Sequence, residues 1–228
     1  MKIAAFDTSS KALTLAILED ETLLAQMTLN IKKNHSITLM PAIDFLMNSL
    51  DMKPKDLDRI VVAQGPGSYT GLRIAVATAK TLAHTLKIEL VGVSSLLALV
   101  PEQAEGLVIP IMDARRNNVY AGFYQSGQAV RPEAHLPLAE VLEMAGAANQ
   151  PVTFVGETAA FAEQIESALP QAAIQPTLPD AAVIGRLGLD LPAQSIHDFI
   201  PNYLKRVEAE ENWLKTHQES SDSYIQRL

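Results

Sequence analysis

A glycine-rich segment, Gly65-Pro66-Gly67-Ser68-Tyr69-Thr70-Gly71, lies between an apolar run that reads as a strand, Ile60–Ala63, and a long helical run, Leu72–Leu86. Glycines at such a junction admit positive φ and let backbone approach a neighbour closely. Ser68 or Thr70 can cap the helix that follows. Strand, glycine loop and helix in that order aim free N–H groups outward, which is the geometry of an anion or phosphate seat. It is not a P-loop, because no Gly-Lys-Ser/Thr closes it. Taken alone, the loop favours the plainer reading of a tight turn that packs the helix on a sheet. A second polar group, Asp7-Thr8-Ser9-Ser10, follows the apolar run Ile3–Phe6. An acid and hydroxyls at a strand end can face metal and phosphate, or Asp7 can simply accept N–H bonds in its own turn. The candidate phosphate contacts are therefore Asp7, Thr8, Ser9, Gly65, Gly67 and Ser68.

Other chemistries find less support. The chain has no cysteine, which excludes disulfides, thiolate nucleophiles and cysteine zinc sites. His35, His84, His135, His197 and His217 show no metal-ligand spacing, and His35 is followed by Ser36, Thr38 and Leu39 rather than further ligands. A Ser-His-Asp set is available by inventory, yet no Gly-x-Ser-x-Gly elbow is present. Residues 1–105 hold 10 basic and 11 acidic side chains, and residues 106–228 hold 8 and 15. No basic face of the kind that grips RNA unaided is formed. The first ten residues offer too short an apolar core for a signal peptide, and no run approaches the roughly 18 apolar residues of a membrane span. A cytoplasmic location is expected.

The elements that must position these groups alternate. Ile3–Phe6, Leu13–Leu18 and Leu23–Leu29 read as a meander of three strands. A helix follows over Ile37–Leu50, capped by Asn34 or Ser36, with Pro41 in its first turns. Ile60–Ala63, Leu72–Leu86 and Ile88–Val93 continue as strand, helix and strand, and Ser94-Ser95 opens a helix through Val100. The order then recurs in degenerate form: strands at Leu107–Met112, Val119–Tyr124 and Ala129–Val130, a helix at Leu138–Met144, a strand at Val152–Val155, a helix at Thr158–Leu169 and a weak strand at Ala172–Ile174. Helices at Ala181–Leu187 and Ile196–His217, the second broken at Pro201, complete the chain. The fold class is α/β, with an N-terminal lobe over 1–105 and a C-terminal lobe over 106–228 hinged near Glu102–Gly106.

Two helices are apolar nearly all round. In Ile37–Leu50, Leu39, Ala42, Phe45 and Leu46 lie off the line of Ile37, Met40 and Ile43. Leu72–Leu86 is rich in alanine and threonine with Ile74, Val76 and Leu82 spread around it. Such helices are either deeply buried or part of a subunit interface. The interface reading takes Ile37, Met40, Pro41, Asp44 and Phe45 from the first helix. From the second it takes Leu72, Ala75, Val76, Ala79 and Ala83. It expects Ala79→Arg to block assembly and leave the monomer folded.

Phe6–Ser10, His35 before a helix with Leu39 and Pro41, Gly65–Ile74, Val91–Leu96, Asp113–Tyr120 and Pro201–Arg206 together resemble the TsaB (YeaZ) family, best before residue 125. Tyr69 stands for a usual Phe and Ala75 for a usual Gly. The resemblance implies the two-lobed actin-like ATPase (ASKHA) fold with ribonuclease H-like lobes, the second degenerate. It also implies a non-catalytic subunit that binds and activates a sister of the same fold, TsaD. That sister transfers a threonylcarbamoyl group to an adenosine in tRNA, and a small ATPase, TsaE, completes the set. A homodimer through the same helices is implied when TsaD is absent, and tRNA is met only through the complex. The sister's metal-binding histidines fall at Ser95 and Leu99 here. Its Gly-Gly phosphate turn falls at Asp113–Arg116, and its nucleoside loop near Gly156-Glu157. On this reading the phosphate contacts are vestigial, no metal or cofactor is expected in the isolated chain, and ATP or ADP is left to the assembled complex. The competing readings are an ATP-dependent kinase or ATPase of the same superfamily, using Asp7, Thr8 and Gly65–Ser68, and a peptidase.

Overall fold

The computed structural model describes residues 1–31 and 34–205. Its first sheet is built from β1 (Lys2–Asp7), β2 (Leu13–Glu19), β3 (Thr22–Leu29), β4 (Arg59–Gly65) and β5 (Glu89–Ser94), in the order β3-β2-β1-β4-β5. The first three strands pair antiparallel, and β4 and β5 add parallel to β1. The second sheet repeats this plan. Here β6 (Leu107–Asp113), β7 (Asn118–Gln125) and β8 (Gln128–Pro137) pair antiparallel, and β9 (Val152–Gly156) and β10 (Ala173–Pro176) add parallel to β6. The helices sit at matching places in the two halves. α1 (His35–Ser49) and α3 (Leu138–Gly146) follow the meanders, and α2 (Tyr69–Leu86) and α4 (Ala162–Ala168) join the parallel strands.

Strand periodicity fixes what each face of the first sheet must bury, because successive side chains point to opposite sides. Ala4, Phe6, Leu13, Leu15, Ile17, Ile60 and Val62 face α1 and α2. Ile3, Ala5, Ala16, Leu18, Val61 and Ala63 face the other way, onto α5 (Ala181–Leu187). That helix packs closely because it lacks side chains at the contact: a Cβ on Gly185 would meet Leu18 Cδ1 at 2.4 Å, and one on Gly188 would meet Val61 Cγ1 at 2.3 Å.

The expected lobe over 106–228 is corrected here. After β10 the chain returns to the first sheet, and residues 181–203 belong to its packing. Arg59, almost fully buried, fastens this return. Its Nη1 donates to the carbonyls of Gly188, Leu189 and Leu191 at 2.5, 2.8 and 3.0 Å, while Nε reaches Glu89 Oε2 at 2.8 Å. Beyond it Gln194 N bonds Leu90 O on the edge strand β5, and Phe199 enters the α1–α2 side of the core.

Other expectations shift for local reasons. The short strand at Ala129–Val130 is ten residues long, because β8 pairs with β7 from Gln128 to Pro137. The helix opened by Ser94-Ser95 is one 3-10 turn, Leu97–Leu99, before which Ser94 Oγ accepts from Leu96 N and Leu97 N. The helix expected from Thr158 starts at Ala162. Residues 196–205 form no helix, since their carbonyls serve side chains of the first sheet and α2: Lys80 Nζ donates to His197 O and Phe199 O, and Gln64 Nε2 to Ile200 O. Residues 206–217 of that expected helix lie outside the described residues.

Removing the Arg59 guanidinium leaves three buried or half-buried carbonyls without their charged donor. Arg59→Ala is expected to lower unfolding free energy by about 3 kcal/mol, read from urea denaturation. Arg59→Lys recovers only part, since one ammonium cannot reproduce the fork.

Candidate functional site

The two polar segments meet at the carboxyl ends of β1 and β4. Asp7, Thr8 and Ser9 are fully or almost fully buried. Ser9 N donates to Asp7 Oδ1 at 2.6 Å and Ser9 Oγ to Asp7 Oδ2 at 2.9 Å. Thr8 Oγ1 donates to Gly71 O at 2.7 Å, and Ser68 N to Ser9 O at 2.7 Å. Ser68 caps α2, accepting from Gly71 N at 3.3 Å. The structure thus brings Asp7, Thr8, Ser9, Gly67 and Ser68 together. It sets Gly65 against the returning segment, where a Cβ would stand 2.5 Å from Asn202 O.

What the glycines admit is the chain's own backbone. A Cβ on Gly67 (φ +155°) would lie 2.5 Å from Ser9 O, and one on Gly71 would lie 2.0 Å from Thr8 O. Ser68 N and Gly71 N are engaged inside the fold, and both Asp7 oxygens already accept from Ser9. A nucleotide is implied by the fold, but this loop does not fit a phosphate at those positions. Burial pushes Asp7 up to about 6, against the opposing pull of its Ser9 bonds. Among the described residues no group of three or more His, Asp or Glu side chains could hold a metal ion.

The Asp113–Asn118 segment joins β6 to β7 in the second sheet. Arg115, Arg116 and Asn117 all have left-handed φ, at 66°, 52° and 58°, a conformation unusual for residues with a Cβ. Asp113 Oδ1 accepts from Arg115 N at 2.7 Å, Asp113 N donates to Glu157 Oε2 at 2.9 Å, and Asn118 Nδ2 donates to Arg115 O and Arg116 O. The turn is held by side chains, and both arginines point their bulk to the exposed side. Between the halves, Tyr124 Oη and Ser94 Oγ both donate to Glu133 Oε1. Burial and that carboxylate push the Tyr124 phenol well above its ordinary range.

The helical layer divides the expected interface residues. On α1, Leu39, Ala42, Ile43, Leu46 and Met47 pack inward. Ile37, Met40, Pro41, Asp44 and Phe45 are exposed, Ile37 by 70% and Phe45 by 59%. On α2 the expectation is corrected. Leu72, Ala75, Val76, Ala79 and Ala83 are all buried against the core of the same chain. This row is spent on the sheet of the same chain and is not exposed to a partner. The outer row of α2 is Arg73, Ala77 and Thr81, with Ile74 and Thr78 half-buried beside it. The polar members of that i, i+4 row were the sequence signal for the outer face. A cluster not expected from sequence, Tyr69, Arg73 and Tyr203, closes the outer end of the glycine loop.

Two sheets of identical strand order, each a meander followed by parallel strands with helices between, define an α/β protein of the actin-like ATPase fold. The family model described as "TsaD: tRNA N6-adenosine threonylcarbamoyltransferase" matches residues 22–213. The Bacillus subtilis (strain 168) tRNA threonylcarbamoyladenosine biosynthesis protein TsaB is 42% identical over 227 residues, covering 95% of this chain and 99% of that protein. The solved structure of YeaZ from Pseudomonas aeruginosa superposes with a TM-score of 0.75 at 26% identity, covering 89% of this chain and 99% of that one. A Pseudomonas aeruginosa protein described by its similarity to peptidase YEAZ gives 0.74 at 27% identity, covering 90% and 99%. The chain belongs to the TsaB (YeaZ) family, whose named members are tRNA threonylcarbamoyladenosine biosynthesis proteins. Among the described residues no helix is long and apolar enough to cross a membrane.

Asp7 supplies a pH test. An aspartate in the unfolded chain titrates near 3.9, and in the fold near 6. The stabilisation that goes with its protonated form is complete below about pH 4 and lost as pH rises through 6. Asp7→Asn is expected to flatten the fall in stability between pH 4.5 and 7.5 by about 2 kcal/mol, read as urea midpoints at the two values.

Proposed function

We propose that the chain is a non-catalytic subunit that binds TsaD and activates it for threonylcarbamoyl transfer to adenosine in tRNA, with TsaE as a further partner. The observation that carries this reading is the α1 face. Ile37, Met40 and Phe45 stand outside the core at i, i+3 and i+8 of α1, with Pro41 exposed among them, and Ala77 and Thr81 are the small exposed residues of α2. Large apolar side chains left exposed along one helix mark a surface that associates. A second helix pair of the same architecture would complete a four-helix layer. A homodimer would use the patch twice, so the two assemblies compete for it.

The non-catalytic part of the reading is supported by the glycine loop, whose close approaches serve Ser9 and Thr8, and by the bulky Arg115-Arg116 turn. We place any bound ATP or ADP in the assembled complex rather than at Asp7 and Ser68.

The variant Phe45→Glu is expected to weaken association with TsaD by about 30-fold or more, read by analytical ultracentrifugation, with the thermal melt unchanged. Transfer to tRNA by TsaD should then fall to the level seen without this chain. Ala79→Arg, by contrast, places a charge in the core and is expected to unfold the monomer, shown by loss of the cooperative melt. TsaD transfer at full rate without the chain would overturn the proposal. Threonylcarbamoyl-independent ATP turnover by the chain alone would favour the ATPase reading.

A further inference from the structure

Tyr69, Arg73 and Tyr203 come together from two distant parts of the chain at the start of α2. The tyrosine rings stack with centroids 5.0 Å apart and planes inclined by 28°. The Arg73 guanidinium carbon lies 4.6 Å from the Tyr69 ring centroid, and Arg73 Nε donates to Tyr203 Oη at 3.1 Å. The backbone behind Tyr203 is fixed: Asn202 N donates to Gln64 O at 2.8 Å, and Gln64 Nε2 to Ile200 O at 2.7 Å.

A fastener for the returning segment would need none of the exposed chemistry here. Phe199 is buried, and Lys80 already holds the His197 and Phe199 carbonyls. Yet Tyr69 and Tyr203 remain 43% and 39% exposed. Among the described residues Arg73 has no carboxylate partner. Half-exposed tyrosine rings beside a guanidinium with no carboxylate on it are what a nucleobase with its phosphate requires. Bases in a duplex are stacked and offer no face, so the ligand is single-stranded. The chain carries a net charge of −8, which repels a polyanion everywhere except at such local cations. Contact is thereby limited to one or two nucleotides.

We propose that Tyr69, Tyr203 and Arg73 form a stacking platform for an unpaired base of an RNA strand, with Arg73 meeting the adjacent phosphate. The choice of RNA rests on the tRNA-linked function proposed above. The platform itself is separate from the Ile37–Phe45 patch. The test is fluorescence anisotropy of a labelled, unstructured 15-nucleotide RNA with the full chain at low salt. Tyr203→Ala and Arg73→Gln should each weaken binding about tenfold, while Tyr203→Phe, which keeps the ring, stays within about twofold. Arg73→Gln should also reduce the salt slope. Circular-dichroism melts establish that each variant is folded, and Arg73→Gln, on an exposed side chain, carries the test if Tyr203→Ala is not. Absence of RNA binding, equal binding of duplex RNA, or variants that bind like the parent would overturn the platform. Phe45→Glu should leave RNA binding unchanged, so failure here is distinguishable from failure of the association with TsaD.

Discussion

The central strands β1 and β4 of the first sheet are apolar on both sides, and no face of that sheet can be left to water. Ala4, Phe6, Ile60 and Val62 demand cover on one side, and Ile3, Ala5, Val61 and Ala63 on the other. Parallel pairing in the middle of a sheet carries this requirement. The first cover comes from helices next in sequence, α1 and α2. The second comes from α5, more than a hundred residues later. Much of the rest follows from that need. Gly185 and Gly188 let α5 approach, Arg59 gathers the three carbonyls beyond it, and the chain is then directed along β5 toward the glycine loop.

The same constraint sorts the helical surface. A helix laid on a sheet presents one side inward, and α2 presents its smallest residues there because the gap is narrow. Its apolar composition is consumed by the fold. α1 has more apolar side chains than the sheet can cover, and the surplus, Ile37, Met40 and Phe45, is left outside. The exposed apolar side chains of α1 are thus what remains after the monomer's own core is filled.

At the carboxyl ends of the strands, the loop resembles a phosphate seat in sequence but is closed by its own neighbours. The Ser9 and Thr8 carbonyls occupy the space that Gly67 and Gly71 leave. Asp7 is desolvated, and both its oxygens accept from Ser9. A site that lets backbone fill its glycine clefts keeps the architecture of a nucleotide fold while giving up the room for the nucleotide at this loop.

Local pattern determined a good deal on its own. The meander of the first half, the capped helix from His35, the long α2 and the strand–helix alternation follow from periodicity of two or 3.6, from caps, and from glycine punctuation, all of which act within a few residues. The Gly65–Ile74 and Phe6–Ser10 segments also carried the family likeness. Tertiary structure decided what depends on distant partners. It chose which side of α2 is inner, because Ala75 and Ala77 are alike in sequence and differ only in where the sheet lies. It stretched β8 to the length of β7, and it held residues 196–205 out of a helix by engaging their carbonyls from Gln64 and Lys80. It also brought Tyr203 onto Tyr69 across 134 positions, a contact that no local propensity encodes, because it exists only once α5 has covered the far face of the first sheet.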